Sequence, residues 1–167
     1  FSDRISVRQL RIAIPLAMVA GVAQIWFTSS AYNIGTISSW SLVFTQINQI
    51  LSALLGGSFL FLFTLAMANQ DCDAPILLTT LICAGASTAA LLVSELIQSS
   101  YLYELTSSTT PLVEVFPQYP LFIAASTLLL IAAVILTLLW KRQGRLLSRK
   151  CATIALVLAL GGVFVAR

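Results

Sequence analysis

The sequence contains no histidine and few charged residues. Histidine is absent from all 167 residues, and charged side chains make up only 9% of them. Without histidine, this segment has no bis-histidine haem ligation, no histidine zinc site and no Ser-His triad. Its three cysteines have no CxxC spacing, and Gly-rich phosphate loops and kinase signatures are missing. These residues therefore give no indication of bond-making chemistry.

Apolar residues dominate what is present. The hydrophobic fraction is 59% and the mean hydropathy is +0.97. A soluble domain of this size carries about 25% charged residues, because its surface must face water. Most of this chain's surface must therefore face lipid, which predicts a polytopic membrane protein. The net charge of +3 does not indicate a nucleic-acid partner.

Five apolar runs approach or exceed the roughly 20 residues that a helix needs to cross a bilayer. The predicted spans are residues 12–29, 41–68, 75–97, 120–140 and 151–167. Pro15, Pro75 and Pro120 lie early in three of them, where a helix tolerates proline. The predicted fold class is all-α, a transmembrane bundle of five helices forming a single membrane domain over residues 1–167. Because the chain starts at Phe and stops directly after an apolar run, we expect it to be a fragment of a longer polypeptide.

The basic residues predict the orientation of the chain. Eight of the nine basic residues fall into two groups. One group precedes the first span, and the other lies between the fourth and fifth spans, at residues 141–150. With five crossings, both groups fall on one side of the membrane. Because basic loops stay in the cytoplasm, the chain is predicted to start inside and to bring Arg167 to the outer face.

Polar residues within the spans collect toward that predicted outer face. They are Gln24, Gln46, Asn48, Gln49, Glu95, Gln98 and Arg167, with aromatic residues such as Tyr32 and Trp40 at the rim. An aromatic belt at the headgroups and amides that join neighbouring helices are simpler interpretations. Together, however, the polar groups suit an amphipathic ligand dissolved in lipid, such as a quinone. The glycine doublets Gly56-Gly57 and Gly161-Gly162 indicate close helix packing and not phosphate binding.

Three stretches have distinctive features. They read AYNIGTISSWSLVFTQINQILSALLGGSFLF (31–61), FPQYPLFIAASTLLLIAAVILTLLW (116–140) and ALVLALGGVFVAR (155–167). The features are a tyrosine-asparagine opening, a glycine doublet, a proline-x-tyrosine entry and a last span with glycine before arginine. In these features the chain resembles the membrane-anchor subunit of bacterial dimethyl sulfoxide reductases. Members of this family have eight spans, so the resemblance implies that these are spans four to eight.

The resemblance implies an electron-transfer role. Such anchors hold an iron–sulfur subunit and a molybdopterin catalytic subunit at the outer face of the bacterial inner membrane. They bind menaquinol near that face, pass its electrons to the iron–sulfur subunit, and carry no haem or metal. Connections 30–40 and 98–119 would dock the iron–sulfur partner. The quinol-binding residues expected here are Gln46, Gln49, Glu95, Arg167, Tyr32 and Asn33.

The sequence leaves two other functions open. The chain is alternatively a small-solute transporter, although its spans carry few ionisable residues near the midplane, where transporters usually place them. It is alternatively a structural anchor whose quinol site lies wholly in the family's N-terminal half, which supplies a histidine. The sequence also leaves open whether Glu95 or Glu104 corresponds to the family's acid in this region.

Overall fold

The computed structural model describes five α-helices and the residues that begin two of them. The helices are α1 (Val7–Ala31), α2 (Leu42–Ala68), α3 (Ala74–Glu104), α4 (Tyr119–Arg142) and α5 (Arg149–Val165). The described residues are 7–31, 42–68, 74–104, 118–142 and 148–165, with side chains for 11–31, 43–68, 75–101, 118–139 and 148–165. These ranges contain no strand. The predicted all-α fold class, with five helices, is confirmed.

Helices α1 to α4 are each long and apolar enough to cross a membrane. Large apolar side chains cover their exposed surfaces, for example Leu16 and Val22 of α1 and Leu128 of α4. Because such a surface is stable only against hydrocarbon, the exterior agrees with the prediction of a membrane protein. Helix α5 has 17 described residues, which corresponds to about 25 Å of helix.

Two helices extend beyond the predicted spans. Helix α3 continues to Glu104, so Glu95 lies well inside the helix and not at its end. Helix α1 begins at Val7, which places Pro15 within the helix and not at its start as predicted. Proline has no N–H to donate, so one backbone hydrogen bond is lost there. Membrane helices tolerate such a loss where other groups satisfy the freed carbonyl.

The starts of α4 and α5 have ordinary helical hydrogen bonds. The carbonyl of Gln118 accepts hydrogen bonds from the N–H groups of Leu121 (3.0 Å) and Phe122 (3.3 Å). The carbonyl of Ser148 accepts a hydrogen bond from the N–H group of Ala152 (2.9 Å). Pro120 is the second residue of α4, where its missing N–H would have had no intrahelical partner. The prediction of a proline-initiated helix is correct here.

The chain divides into two compact units, residues 1–49 and 50–167. The first contains α1 and the start of α2, with Ser29 and Asn48 buried. The second contains the remainder of α2 and helices α3 to α5. Four helices contribute two residues each to its core: Leu55, Phe59, Ala84, Leu91, Leu130, Ala133, Ala155 and Ala159.

Helices α4 and α5 make the closest pairing of the second unit. The buried residues of α5 are all small: Ala152, Ala155, Ala159 and Gly162. Their spacing of three and four residues places them on one face of the helix. A Cβ added at Gly162 would lie 2.8 Å from the Cγ of Leu130 and 3.3 Å from the Cβ of Leu129. Small side chains thus allow the two backbones to approach closely, as membrane helices often do.

Candidate functional site

The buried face of α3 is mostly polar toward its C-terminal end. Leu91 is its apolar member there, and the polar members are Ser87, Thr88, Ser94, Glu95 and Ser99. Residues separated by three, four, seven or eight positions share one face of an α-helix. A lipid-embedded helix thus directs a stripe of hydroxyls and one carboxyl into the protein interior.

Glu95 is the one acidic residue among the described side chains, and only 8% of its surface is exposed. It lies nine residues before the end of α3, or about 14 Å along the helix axis. Burial of a carboxylate is costly unless polar groups surround it. An ionisable residue at such a position in a membrane protein is therefore a functional-site candidate by default.

Most of the buried hydroxyls in the second unit are satisfied by their own helix. The donors, their acceptor carbonyls and the oxygen–oxygen distances are Ser58 to Leu54 (2.7 Å), Thr88 to Ala84 (2.8 Å), Ser99 to Leu96 (2.7 Å) and Thr137 to Ala133 (2.6 Å). Ser94 and Ser126 differ, because each has a buried Oγ with no hydrogen-bond partner among the described residues. A buried hydroxyl without a partner costs about 1–3 kcal/mol. Ser94 and Ser126 therefore each need a polar partner outside the described residues.

Ser126 lies on the buried face of α4, four residues before the core residue Leu130. Ser94 lies three residues after Leu91, which belongs to the same core cluster. Helices α3 and α4 contact each other, and successive membrane spans run in opposite directions. Both serines therefore lie about one turn, roughly 5 Å, from the core toward the end where α3 finishes and α4 begins. We call this end of the second unit the Glu95 end.

The other predicted site residues are distributed differently. Gln46 and Gln49 are half-buried on either side of the buried Asn48, and these amides belong to the first unit. Glu95 belongs to the second unit, so the expected proximity of the amides to its carboxyl stays a prediction. Tyr32, Asn33 and Arg167 lie outside the described residues.

Sequence reasoning missed Ser94 and Ser126. A signal for Ser94 was present, because Ser87, Ser94 and Glu95 recur at helical spacing within an apolar run. Ser126 gave no such signal, since it is a single serine in an aliphatic helix. That its hydroxyl makes no hydrogen bond to the preceding carbonyls of its helix is not visible in the sequence.

A groove of about 550 Å³ lies between α2 and α3, away from the Glu95 end. It is lined by Ala53, Leu54, Gly57, Ser58, Phe61, Pro75, Ile76, Thr79, Thr80 and Cys83. The hydroxyls of Ser58, Thr79 and Thr80 donate to carbonyls of their own helices. Cys83 lies twelve residues before Glu95, about 18 Å along α3. The lining of the groove is therefore mainly apolar, and the polar residues considered for a functional site lie at the Glu95 end.

The apolar helices and their lipid-compatible exterior define a multi-pass α-helical membrane protein. A family model described as "DMSO reductase anchor subunit (DmsC)" matches residues 4–167. The chain belongs to this family, which confirms the resemblance found in the sequence. It is thus a membrane anchor of a dimethyl sulfoxide reductase complex and associates with the catalytic subunits of that complex. No curated protein and no solved structure matches the chain.

Proposed function

We propose that the chain binds quinol near the outer membrane face and passes its electrons to an iron–sulfur subunit. A molybdopterin subunit then uses these electrons to reduce the terminal acceptor. Menaquinol is the proposed substrate, and the bacterial inner membrane is the proposed location. Family membership supports this role over that of a small-solute transporter.

The observation that carries the proposal is the buried carboxyl of Glu95. Oxidation of one quinol to quinone releases two electrons and two protons. The electrons leave to the iron–sulfur partner, and a base must accept the protons in succession. A carboxylate buried among hydroxyls in an apolar helix is suited to this exchange, because it accepts and returns a proton without moving far.

The remaining expected site residues complete the proposal. Gln46 and Gln49 would donate hydrogen bonds to quinol oxygens, as amides do, with Tyr32 and Asn33 beside them. Arg167 would polarise a quinone oxygen with its fixed charge and planar fork of donors. Connection 30–40 and the part of 98–119 that follows α3 would provide the docking surface for the iron–sulfur subunit.

The test replaces Glu95 by glutamine in the intact complex. Glu95→Gln keeps the size and hydrogen-bonding capacity of the side chain but cannot accept a proton. We expect quinol-driven turnover to fall by about 10²-fold, since positioned acid–base groups contribute about 10²–10⁴-fold. Turnover with an artificial donor that reduces the catalytic subunit directly should be unchanged, which shows that the complex is assembled.

Glu104→Gln is the matched control, because it makes the same chemical change at the last residue of α3. We expect its quinol-driven turnover to stay within twofold of the parent. If Glu104→Gln abolishes quinol turnover and Glu95→Gln does not, Glu104 is the proton acceptor. If neither variant affects it, this chain is a structural anchor and quinol is oxidised elsewhere.

A further inference from the structure

The two serines without partners lie where Glu95 is buried. Ser94 precedes Glu95 in α3, and Ser126 is at a similar level of α4, one turn from the shared core. Both hydroxyl oxygens are buried and have no hydrogen-bond partner among the described residues. By contrast, the buried hydroxyls of Ser58, Thr88 and Thr137 donate to their own helices.

A buried water molecule typically has two to four polar partners. The hydroxyls of Ser94 and Ser126 and the carboxyl of Glu95 supply three groups of this kind. One turn farther along the same face, Ser99 is buried and donates to the carbonyl of Leu96 (2.7 Å), which leaves its oxygen able to accept. From Ser94 to Ser99 the face advances about 7.5 Å toward the end of α3.

We propose that Ser94 and Ser126 hold one water molecule beside Glu95, and that this water connects the carboxyl to Ser99 and the outer face. This inference rests on the proposed function, in which Glu95 takes protons from quinol. Glu95 gives each proton to the water, and the water passes one of its own to the hydroxyl oxygen of Ser99. Ser99 leaves its bond to the Leu96 carbonyl and releases its original proton to water at the outer face. The Ser99 hydroxyl and the bound water then rotate back, which restores the path for the next proton. Ser94 and Ser126 are positioning residues, since they act through the water and not on quinol.

The first test measures proton exchange without turnover. The carbonyl stretching band of protonated Glu95 is identified in the intact complex by infrared difference spectroscopy, as the band lost in Glu95→Gln. Transfer into D₂O shifts this band as the carboxyl exchanges its proton. In the double variant Ser94→Ala and Ser126→Ala, we expect the shift to be about tenfold slower. This is less than the roughly 10²–10⁴-fold that a positioned acid–base group contributes directly, because the two serines act only through the water.

Ser58→Ala is the matched control. Ser58 is as buried as Ser94, at 8% exposure, but its hydroxyl is bonded to its own helix. Its removal should leave the exchange rate unchanged. Ser94→Thr retains a hydroxyl and should exchange like the parent. If the double variant does not assemble, the single variant Ser126→Ala is measured in its place, with slower exchange again expected.

The second test is quinol-driven turnover with chemical rescue. The double variant should lose about tenfold in turnover, keep its artificial-donor activity, and bind a quinone analogue within twofold of the parent. Added imidazole, a small proton carrier, should restore part of the turnover. If Glu95→Gln abolishes turnover while the double variant exchanges and turns over like Ser58→Ala, the water path is refuted and the proposed function stands. If neither Glu95→Gln nor Glu104→Gln has an effect, the proposed function itself fails.

Discussion

Gly162 is the position at which the packing of α4 against α5 is most sensitive to a single methyl group. An added Cβ would lie 2.8 Å from the Cγ and Cδ2 of Leu130 and 3.3 Å from the Cβ of Leu129. Leu130 is fully buried in the core, so its side chain has little freedom to move. We therefore expect Gly162→Ala to force the two helices apart.

The magnitude follows from a comparison with Gly161→Ala. A Cβ at Gly161 meets only the Cδ1 of Leu129, at 3.9 Å, which is ordinary van der Waals contact. Both substitutions gain the roughly 1 kcal/mol by which alanine favours a helix over glycine. Overpacking at Gly162 costs about 1–3 kcal/mol. Because the helical gain is common to both variants, they should differ in free energy of unfolding by about 1–3 kcal/mol, with Gly162→Ala the less stable.

Reversible unfolding in mixed detergent micelles, followed by loss of helical circular dichroism, measures this difference. Gly161→Ala should equal or exceed the parent in stability, and Gly162→Ala should fall below Gly161→Ala. If the two variants have the same free energy of unfolding, Gly162 does not lie close to Leu130 in the folded protein. The pairing of α4 with α5 around Gly162 would then be incorrect.

Two further predictions concern residues outside the described part of the chain. Gly144→Cys, in the basic loop between α4 and α5, should resist labelling by an impermeant reagent added outside the cell, because the positive-inside rule places this loop in the cytoplasm; ready labelling would mean the opposite orientation. Arg167→Lys should lower quinol-driven turnover several-fold while leaving assembly and artificial-donor activity intact, since lysine keeps the charge but loses the planar fork of donors. A lysine variant with parental turnover would make Arg167 a headgroup anchor.

The helices were predictable from the sequence because apolar runs of sufficient length have few alternatives in a bilayer. The end of α3 was not. Gln98, Ser99 and Ser100 resemble a helix terminus in the sequence, yet α3 continues to Glu104. The hydroxyls of Ser99 and Ser100 donate to the carbonyl of Leu96 (2.7 and 2.9 Å). Because these polar side chains bond within the helix, they do not interrupt its backbone pattern.

The candidate site was predictable only in part. A single glutamate in an apolar run is a clear signal, and Glu95 is indeed buried. The Gly161-Gly162 doublet indicated helix packing, but only the structure distinguishes the glycine that contacts α4 closely from its neighbour. The absence of a hydrogen-bond partner for Ser126 among the described residues is likewise seen only in the structure. Such choices are made by packing between segments distant in sequence, which no local pattern encodes.

The most direct test of the central claim follows electrons from quinol into the partner subunit. The intact complex is purified anaerobically by an affinity tag on this chain. A menaquinol analogue is then added in the absence of a terminal acceptor. Reduced iron–sulfur clusters are detected by electron paramagnetic resonance. We predict cluster reduction by quinol in the parent complex and its loss in Glu95→Gln, with both complexes still reduced by an artificial donor. Unchanged reduction by quinol in Glu95→Gln, or no reduction in a parent complex that the artificial donor does reduce, would contradict the account.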